Sequence, residues 1–339
     1  MSFWKNRSVL VTGGAGFIGS NLTQRLVELG AKVRVLDNLE RGKLEYLKDV
    51  LDQIDFQKGD LRASEVCFEI CKGMDVIFHL ASKVGGIRCY LDKPGQVMTQ
   101  NVLIDTNMIE AAKAQGVGFY LYASSAHVYP IELQQSPDAP PIREEQAIPA
   151  HPELSYGWAK LLGEREIEYT IAEGAELKAV IVRLIGAYGP NQDLDLDTGS
   201  AIPVFIRRAI EYPQRKPFVI LGTGEETRSY CYISDVLDAM LLAIEKLDNQ
   251  RLIGPINVGS ETRIKIKDLV DEIIDISGKD IEVVNDLSHP TVIWGQVLDC
   301  SKAREILDNW VPKVSLREGL EKVYSHIQER LGRERSCVY

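Results

Sequence analysis

No stretch of this 339-residue chain approaches the ~20 consecutive apolar residues that a membrane-spanning helix requires. The N-terminal MSFWKNRSVLVTGG enters a strand without the apolar core of a secretory signal. A cytoplasmic location and no membrane partner are therefore expected. Cysteine is sparse: Cys67, Cys71, Cys89, Cys231, Cys300 and Cys337 are scattered, with no C-x-x-C pair and no histidine at zinc spacing. Neither a disulfide framework nor a metal site follows from that pattern. Positive charge is also short, 39 Lys and Arg against 49 Asp and Glu for a net charge of -10. That balance opposes a broad surface for nucleic acid or anionic lipid, so an anionic ligand must meet a local basic pocket. Internal repeats and low-complexity tracts are missing as well.

Apolar residues supply 45% of the chain, enough for one large core and a smaller lobe. SVLVTGG is an apolar run ending in glycines, FIGSNLTQRLVELG has apolar residues at helical spacing and a glycine stop, and AKVRVLDN is again a strand. This βαβ rhythm continues through IDFQKGD, MDVIFHLAS, GFYLYASS and LKAVIVRL, and predicts an α/β fold with a doubly wound parallel sheet. Beyond GAYGP the strands shorten to FVIL and SYCYI, with helices expected near 264 to 277 and 315 to 331. The expected division is residues 1–185, rejoined by 230–258, as a Rossmann domain, and 186–229 with 259–332 as a smaller C-terminal lobe.

TGGAGFIG places Gly13, Gly16 and Gly19 between a strand and a helix. The first permits a tight turn, the second lets backbone approach a pyrophosphate, and the third packs helix on strand. Asp37 ends the second strand, where a carboxylate can hold both ribose hydroxyls and repel a 2′-phosphate, which favours NAD over NADP. Arg41 nearby is the counter-signal. Asp60 in GDL is a candidate for the adenine or a plain turn residue, and Phe17, Ile18, Asn38, Leu61 and Ala81 complete the expected cofactor set.

SYGWAK holds Tyr156 and Lys160 four residues apart, hence on one helix face. A neighbouring ammonium lowers a phenol from its ordinary pKa of about 10 and readies it as a base. Together TGGAGFIG, LDN, GDL, ASSAHVYP, YGWAK, YGP and GTGEETRSYCYISDV resemble the extended short-chain dehydrogenase/reductases, specifically the NAD-dependent sugar-nucleotide epimerases and dehydratases. The likeness runs from about residue 7 to 331. It implies that Ser125 hydrogen-bonds the reacting sugar hydroxyl, that Tyr156 takes its proton, and that Lys160 steadies Tyr156 and the nicotinamide ribose while a hydride passes between sugar and NAD. It also implies a homodimer through helices near 97–115 and 153–173, with Met98, Val102, Ile109, Trp158, Leu162 and Ile167 as apolar contacts.

KVGGI, followed by SSA-x-x-YP, is similar to GDP-mannose 3,5-epimerases and GDP-fucose synthases. In those relatives the residue matching His127 is a cysteine that moves a proton at a sugar carbon; in dehydratases and decarboxylases it is usually Glu. An imidazole with an ordinary pKa near 6.5 suits removal of a C3 or C5 proton once C4 is a ketone. The other reading makes His127 a substrate-binding group. Lys83, Gly85, Gly86 and Arg88 of the Gly-Gly loop join Ser125 and His127 as expected substrate contacts, and Arg228 of TRSY matches the family's phosphate-binding arginine.

Three departures qualify the likeness. Gly186 stands where the family carries Asn. Asp193, Asp195 and Asp197 occupy the stretch where a second acid would be expected, and Trp294 with Gln296 replace a second arginine. The expectation is thus an NAD-dependent nucleotide-sugar epimerase acting through transient C4 oxidation, with possible C3 or C5 epimerisation. The alternatives are a plain 4-epimerase, a 4,6-dehydratase or decarboxylase, and an NAD-binding regulator without chemistry.

Overall fold

The structure, a computed structural model, describes residues 3–85, 87–288 and 292–336, with backbone only at 87–89, 248–249 and 334–336. The chain opens with β1 (Ser8–Thr12), α1 (Phe17–Glu28), β2 (Lys32–Asp37), β3 (Asp55–Lys58), α2 (Ser64–Ile70) and β4 (Val76–His79). Next come α3 (Ile87–Asp92), α4 (Pro94–Ala114), β5 (Phe119–Ser125), α5 (Ser155–Ala172) and β6 (Lys178–Leu184). After β7 (Ala187–Tyr188), α6 (Ala201–Glu211), β8 (Phe218–Leu221), β9 (Thr227–Ser229), β10 (Cys231–Tyr232) and α7 (Ile233–Glu245), β11 (Leu252–Val258) returns to the main sheet. β12 (Arg263–Lys265), α8 (Ile266–Ser277), β13 (Val283–Asp286), β14 (Gly295–Gln296), α9 (Ser301–Ile306) and α10 (Leu316–Ser336) complete the described chain.

The main sheet has seven strands in the order β11-β6-β5-β4-β1-β2-β3, all parallel. A parallel sheet must be covered on both faces because its crossover helices lie there, and strand alternation sorts the side chains accordingly. Val9, Val11, Val76, Phe78 and Leu121 enter one core with Leu22 and Leu26 of α1 and Val236 and Met240 of α7. Leu10, Ile77, Tyr120 and Tyr122 enter the other, against Ile70, Met108, Ile109, Ile167 and Ile171. Ile109 and Ile167 are therefore core residues, 0% exposed, and not part of an outer apolar face as expected. The stripe they belong to packs inward, and the exposed apolar side chains on α4 and α5 are Leu103, Trp158, Leu162 and Tyr169.

β1 pairs with β2 on one side and β4 on the other, so the strand order reverses there. In an open parallel sheet that point opens a crevice at the carboxyl ends of the strands. The segment read as one strand, SYCYI, is broken: β9 pairs with β12 and β14, whereas β10 pairs with β7. Gly186 explains part of this path. Its φ of +57° and an overlap of any Cβ with the Ser229 carbonyl oxygen exclude a side chain.

Candidate active site

The glycine turn joins β1 to α1 at the crevice. Gly13 has φ +67°, and a Cβ there would press on the Ala81 backbone at 3.0 Å. At Gly19 a Cβ would overlap the Gly13 carbonyl oxygen and Gly14 Cα, so only glycine lets α1 sit this close to the turn. At Gly16 a Cβ would meet nothing but the Gly13 oxygen at 3.2 Å, which leaves the mouth of the turn open in front of the helix N-terminus. Phe17 and Ile18 form the first turn of that helix. Asp37 ends β2, 6% exposed, and its carboxylate accepts the N–H groups of Ala15 at 3.0 Å and Leu39 at 2.8 Å. Burial pushes its pKa up while those two bonds pull it down. The guanidinium of Arg41 is committed elsewhere, to Asp193 at 2.9 Å and the Val84 carbonyl at 2.8 Å. The counter-signal for a 2′-phosphate site is thus tied into a bridge between two loops.

Other members of the expected cofactor set are placed less simply. Asp60 is gripped by the Arg62 guanidinium, which holds its carboxyl below the ordinary value. Leu61 is buried, and its carbonyl accepts Asn107 at 3.0 Å. Asn38 is exposed with its side chain on the Glu40 N–H. Ala81 is half-buried beneath Gly13, its N–H given to Thr12 Oγ1 at 3.2 Å.

At the carboxyl end of β5, Ser125 Oγ accepts the His127 N–H at 3.3 Å. Tyr156, 8% exposed at the start of α5, lies in hydrogen-bonding contact with Ser82 and Ser125. Burial and then the Asp105 charge push this phenol up to about 12, against the two serines, which lower it. Ser82 is itself fixed, donating to Asn101 Oδ1 at 2.6 Å. Lys160, one turn further along α5, is 1% exposed, and its Nζ has no hydrogen-bond partner. The nearest described anion is Asp105, 3.5 Å away. A buried ammonium with an anion at 3.5 Å but no close hydrogen bond, in a fold whose β1–α1 turn is open and whose β2 ends in a carboxylate, fits a dinucleotide carrying a ribose toward Lys160.

His127 faces this group. Its ring centroid lies 5.9 Å from that of Tyr156, edge to face, and 6.5 Å from that of Tyr90, which stands 5.6 Å from Tyr156. Burial, and secondarily the charge of Arg228, hold the imidazole neutral with a pKa of about 4. Arg228 is half-buried on β9 and donates to the Thr227 carbonyl at 2.8 Å and the Ile293 carbonyl at 3.0 Å. Gln296 lies beside it on β14, but its amide is given to Gln134 at 2.8 Å. Glu153, half-buried, is raised by burial and eased by Arg228.

Lys83, expected on the substrate, is ion-paired with Glu40, on the cofactor side. The Gly85 N–H donates to the Tyr90 hydroxyl at 3.2 Å. Gly86 and the side chain of Arg88 lie outside the described residues. Asp195 accepts the N–H groups of Asp197 and Thr198, and Asp193 takes the Thr198 hydroxyl besides Arg41, so these carboxylates build their loop. Sequence reasoning overlooked Ser82, Tyr90, Asn101, Asp105 and Glu153. The one available signal was a pair of polar residues, Asn101 and Asp105, one turn apart among the apolar positions of α4.

Fold and site together define an enzyme of the short-chain dehydrogenase/reductase class, built to work with a nicotinamide dinucleotide. Comparison with known proteins narrows this. The model of the NAD dependent epimerase/dehydratase family matches residues 9–259, and the chain belongs to that family, whose cofactor is NAD. GDP-mannose 3,5-epimerase of Arabidopsis thaliana is 29% identical over 337 residues, covering 98% of this chain and 86% of the relative. UDP-glucuronic acid decarboxylase 1 of the same plant is 30% identical over 345 residues, covering 96% of this chain and 71% of its own. Among solved structures, UDP-glucose 4-epimerase from Thermotoga maritima, with UDP-glucose, superposes with a TM-score of 0.85 at 30% identity, covering 96% of this chain and 99% of that one. Among the described residues no helix is long and apolar enough to cross a membrane.

Proposed function

We propose that this protein epimerises a nucleotide sugar through transient oxidation at C4, and that His127 moves a proton at C3 or C5 of the oxidised sugar. The observation that carries the reading is the meeting of Ser125, Tyr156 and a neutral His127 at one strand end. NAD, when bound, supplies the acceptor for the C4 hydride and gives it back. Gly13, Gly16, Gly19 and Asp37 hold it, and Lys160 is left free to meet its ribose. Ser82 and Ser125 fix the Tyr156 oxygen, which takes the proton of the C4 hydroxyl. The ketone then acidifies the neighbouring C–H bonds, and an uncharged imidazole is the acceptor within reach. Arg228 sharpens this, since its charge is one of the two causes that depress His127. A diphosphate seated on Arg228 would cancel that charge and so remove the smaller of the two causes that depress His127, while burial, the larger, remains.

A second reading, a plain 4-epimerase in which His127 only binds, is favoured by the low pKa of the imidazole in the substrate-free chain. Incubation with NAD and a panel of GDP- and UDP-sugars in deuterated water, followed by NMR, separates the two. Deuterium at C3 or C5 supports the carbon-acid route. C4 inversion without deuterium rejects it in favour of the second reading, and silence across the panel rejects both.

Under this proposal residues 1–185 with 230–258 hold the cofactor. Residues 186–229 with 259–332 hold the nucleotide, and Gly85, Ser125, His127 and Arg228 face the substrate. Free buried thiols at Cys67, Cys71, Cys231 and Cys300 suit the reducing cytoplasm, where we place the protein. We also infer a homodimer through α4 and α5. Leu103, Trp158, Leu162 and Tyr169 are 43%, 41%, 45% and 68% exposed there, and a monomeric mass in solution rejects the inference.

A further inference from the structure

Behind the reacting edge of the sheet lies a carboxylate to which the proposed chemistry gives no task. Asp105, on α4 and 1% exposed, is enclosed by β4, β5 and α5. Its Oδ1 lies 3.0 Å from His79 Nε2 and 3.5 Å from Lys160 Nζ, while Oδ2 accepts the Tyr122 hydroxyl. The histidine's tautomer follows from its far side. Thr12 Oγ1 already accepts the N–H groups of Leu80 and Ala81, so its own proton goes to His79 Nδ1 at 2.9 Å. That leaves the imidazole proton on Nε2, where it is donated to Asp105. Two donors on two strands thus fix the carboxylate. Glu164, the other anion acting on Lys160, is engaged by Arg183 through two hydrogen bonds of 2.9 and 2.7 Å. A buried ammonium without an anion sheds its proton.

We propose that Asp105 is a positioning residue for the reaction: held by His79 and Tyr122, it keeps Lys160 an ammonium and anchors it one turn from Tyr156. The inference rests on the reading of Tyr156 and Lys160 as the proton-handling pair. α4 thereby serves the site twice on one face, through Asn101, which fixes Ser82, and through Asp105, one turn later.

The consequence is a signature in pH. His79 from β4, Tyr120 and Tyr122 from β5, and Tyr156, Lys160, Glu164 and Glu166 from α5 all feel or flank this charge. Of these, Tyr156 and Lys160 belong to the reacting edge. The Asp105 charge raises both, but burial is the larger influence: it raises Tyr156 further, and it leaves Lys160 below its ordinary value despite that charge. Removing that charge must lower both.

The test compares pH–rate profiles of the wild-type holoenzyme, Asp105→Asn and Tyr122→Phe. Asp105→Asn keeps the shape and loses the charge, so its acid limb, set by Tyr156, and its alkaline limb, set by Lys160, both move to lower pH by about one unit or more. Tyr122→Phe removes one hydrogen bond to the same carboxylate but leaves its charge and the His79 bond, so both limbs move less than in Asp105→Asn. A folded Asp105→Asn enzyme with unmoved limbs overturns the proposal. Where that variant fails to fold, or where no sugar is turned over, a 13C NMR titration of the Asp105 carboxyl in the wild-type holoenzyme decides. An ionised carboxylate from about pH 5 upward supports the proposal, and one still protonated at neutral pH overturns it. Absence of turnover in the wild type bears only on the epimerase reading.

Discussion

Glu164→Gln is expected to be among the most damaging single changes in this chain, although it touches no reacting group. Glu164 and Arg183 are both 0% exposed and meet through two parallel hydrogen bonds of 2.9 and 2.7 Å. The Ser124 hydroxyl also donates to Glu164, and the remaining guanidinium nitrogen reaches the Tyr129 hydroxyl at 3.1 Å and the Glu144 carbonyl at 2.8 Å. A glutamine amide keeps the volume, but its NH2 confronts a guanidinium N–H, and the buried positive charge loses its anion. Breaking a buried pair in this way costs about 3–5 kcal/mol, a large part of a typical stability of roughly 5–15 kcal/mol. Urea unfolding reads this as a lower midpoint at an unchanged slope, and the melting temperature should fall by roughly 4–7 °C for a chain of this length. Glu168→Gln is the control. It breaks the more exposed pair with Arg165 on the same helix, where the side chains are 24% and 38% exposed, and should cost less than about 1 kcal/mol. A Glu164→Gln loss no larger than the control's would refute the reasoning. The double change Glu164→Gln with Arg183→Met should recover much of the loss, because it removes the stranded charge.

Two further outcomes follow from particular geometry. Gly19→Ala drives a methyl group into the Gly13 carbonyl oxygen and pushes α1 off the turn, so NAD binding measured by calorimetry should be lost while the fold persists; wild-type affinity would count against the glycine turn as the phosphate site. Stability should fall between about pH 6.5 and about 4, because the unfolded chain protonates His127 below its ordinary 6.5 and the folded chain only below about 4. His127→Gln should flatten that part of the urea midpoint against pH, and an unchanged profile would show that the imidazole is not held neutral.

How much of this was legible in the sequence depends on whether a residue acts through its neighbours along the chain or across the fold. The glycine turn, Asp37 at the tip of β2 and the Tyr156–Lys160 spacing are local patterns, and the structure sets them at one crevice because alternating strands and helices leave a parallel sheet few other arrangements. SYCYI looked like one strand because its composition is continuous. It breaks because Thr227–Ser229 and Cys231–Tyr232 find different partners, Arg263–Lys265 and Ala187–Tyr188, which no local rule discloses. Ile109 and Ile167 looked like an outer apolar face, since an apolar residue does not announce which side of its helix the sheet will cover. Asp105 was the least legible. Its spacing from Asn101 on one face of α4 is the sole local mark, and its partners come from 26, 17 and 55 residues away. Yet it alters the meaning of the most legible motif. Read locally, Lys160 lowers the Tyr156 phenol; in the fold, Asp105 stands against the ammonium and burial holds the phenol at about 12. Neither Tyr156 nor Lys160 is therefore poised by the other alone. The Asp105 charge and the burial of the phenol, neither visible in the local motif, are part of what sets this pair.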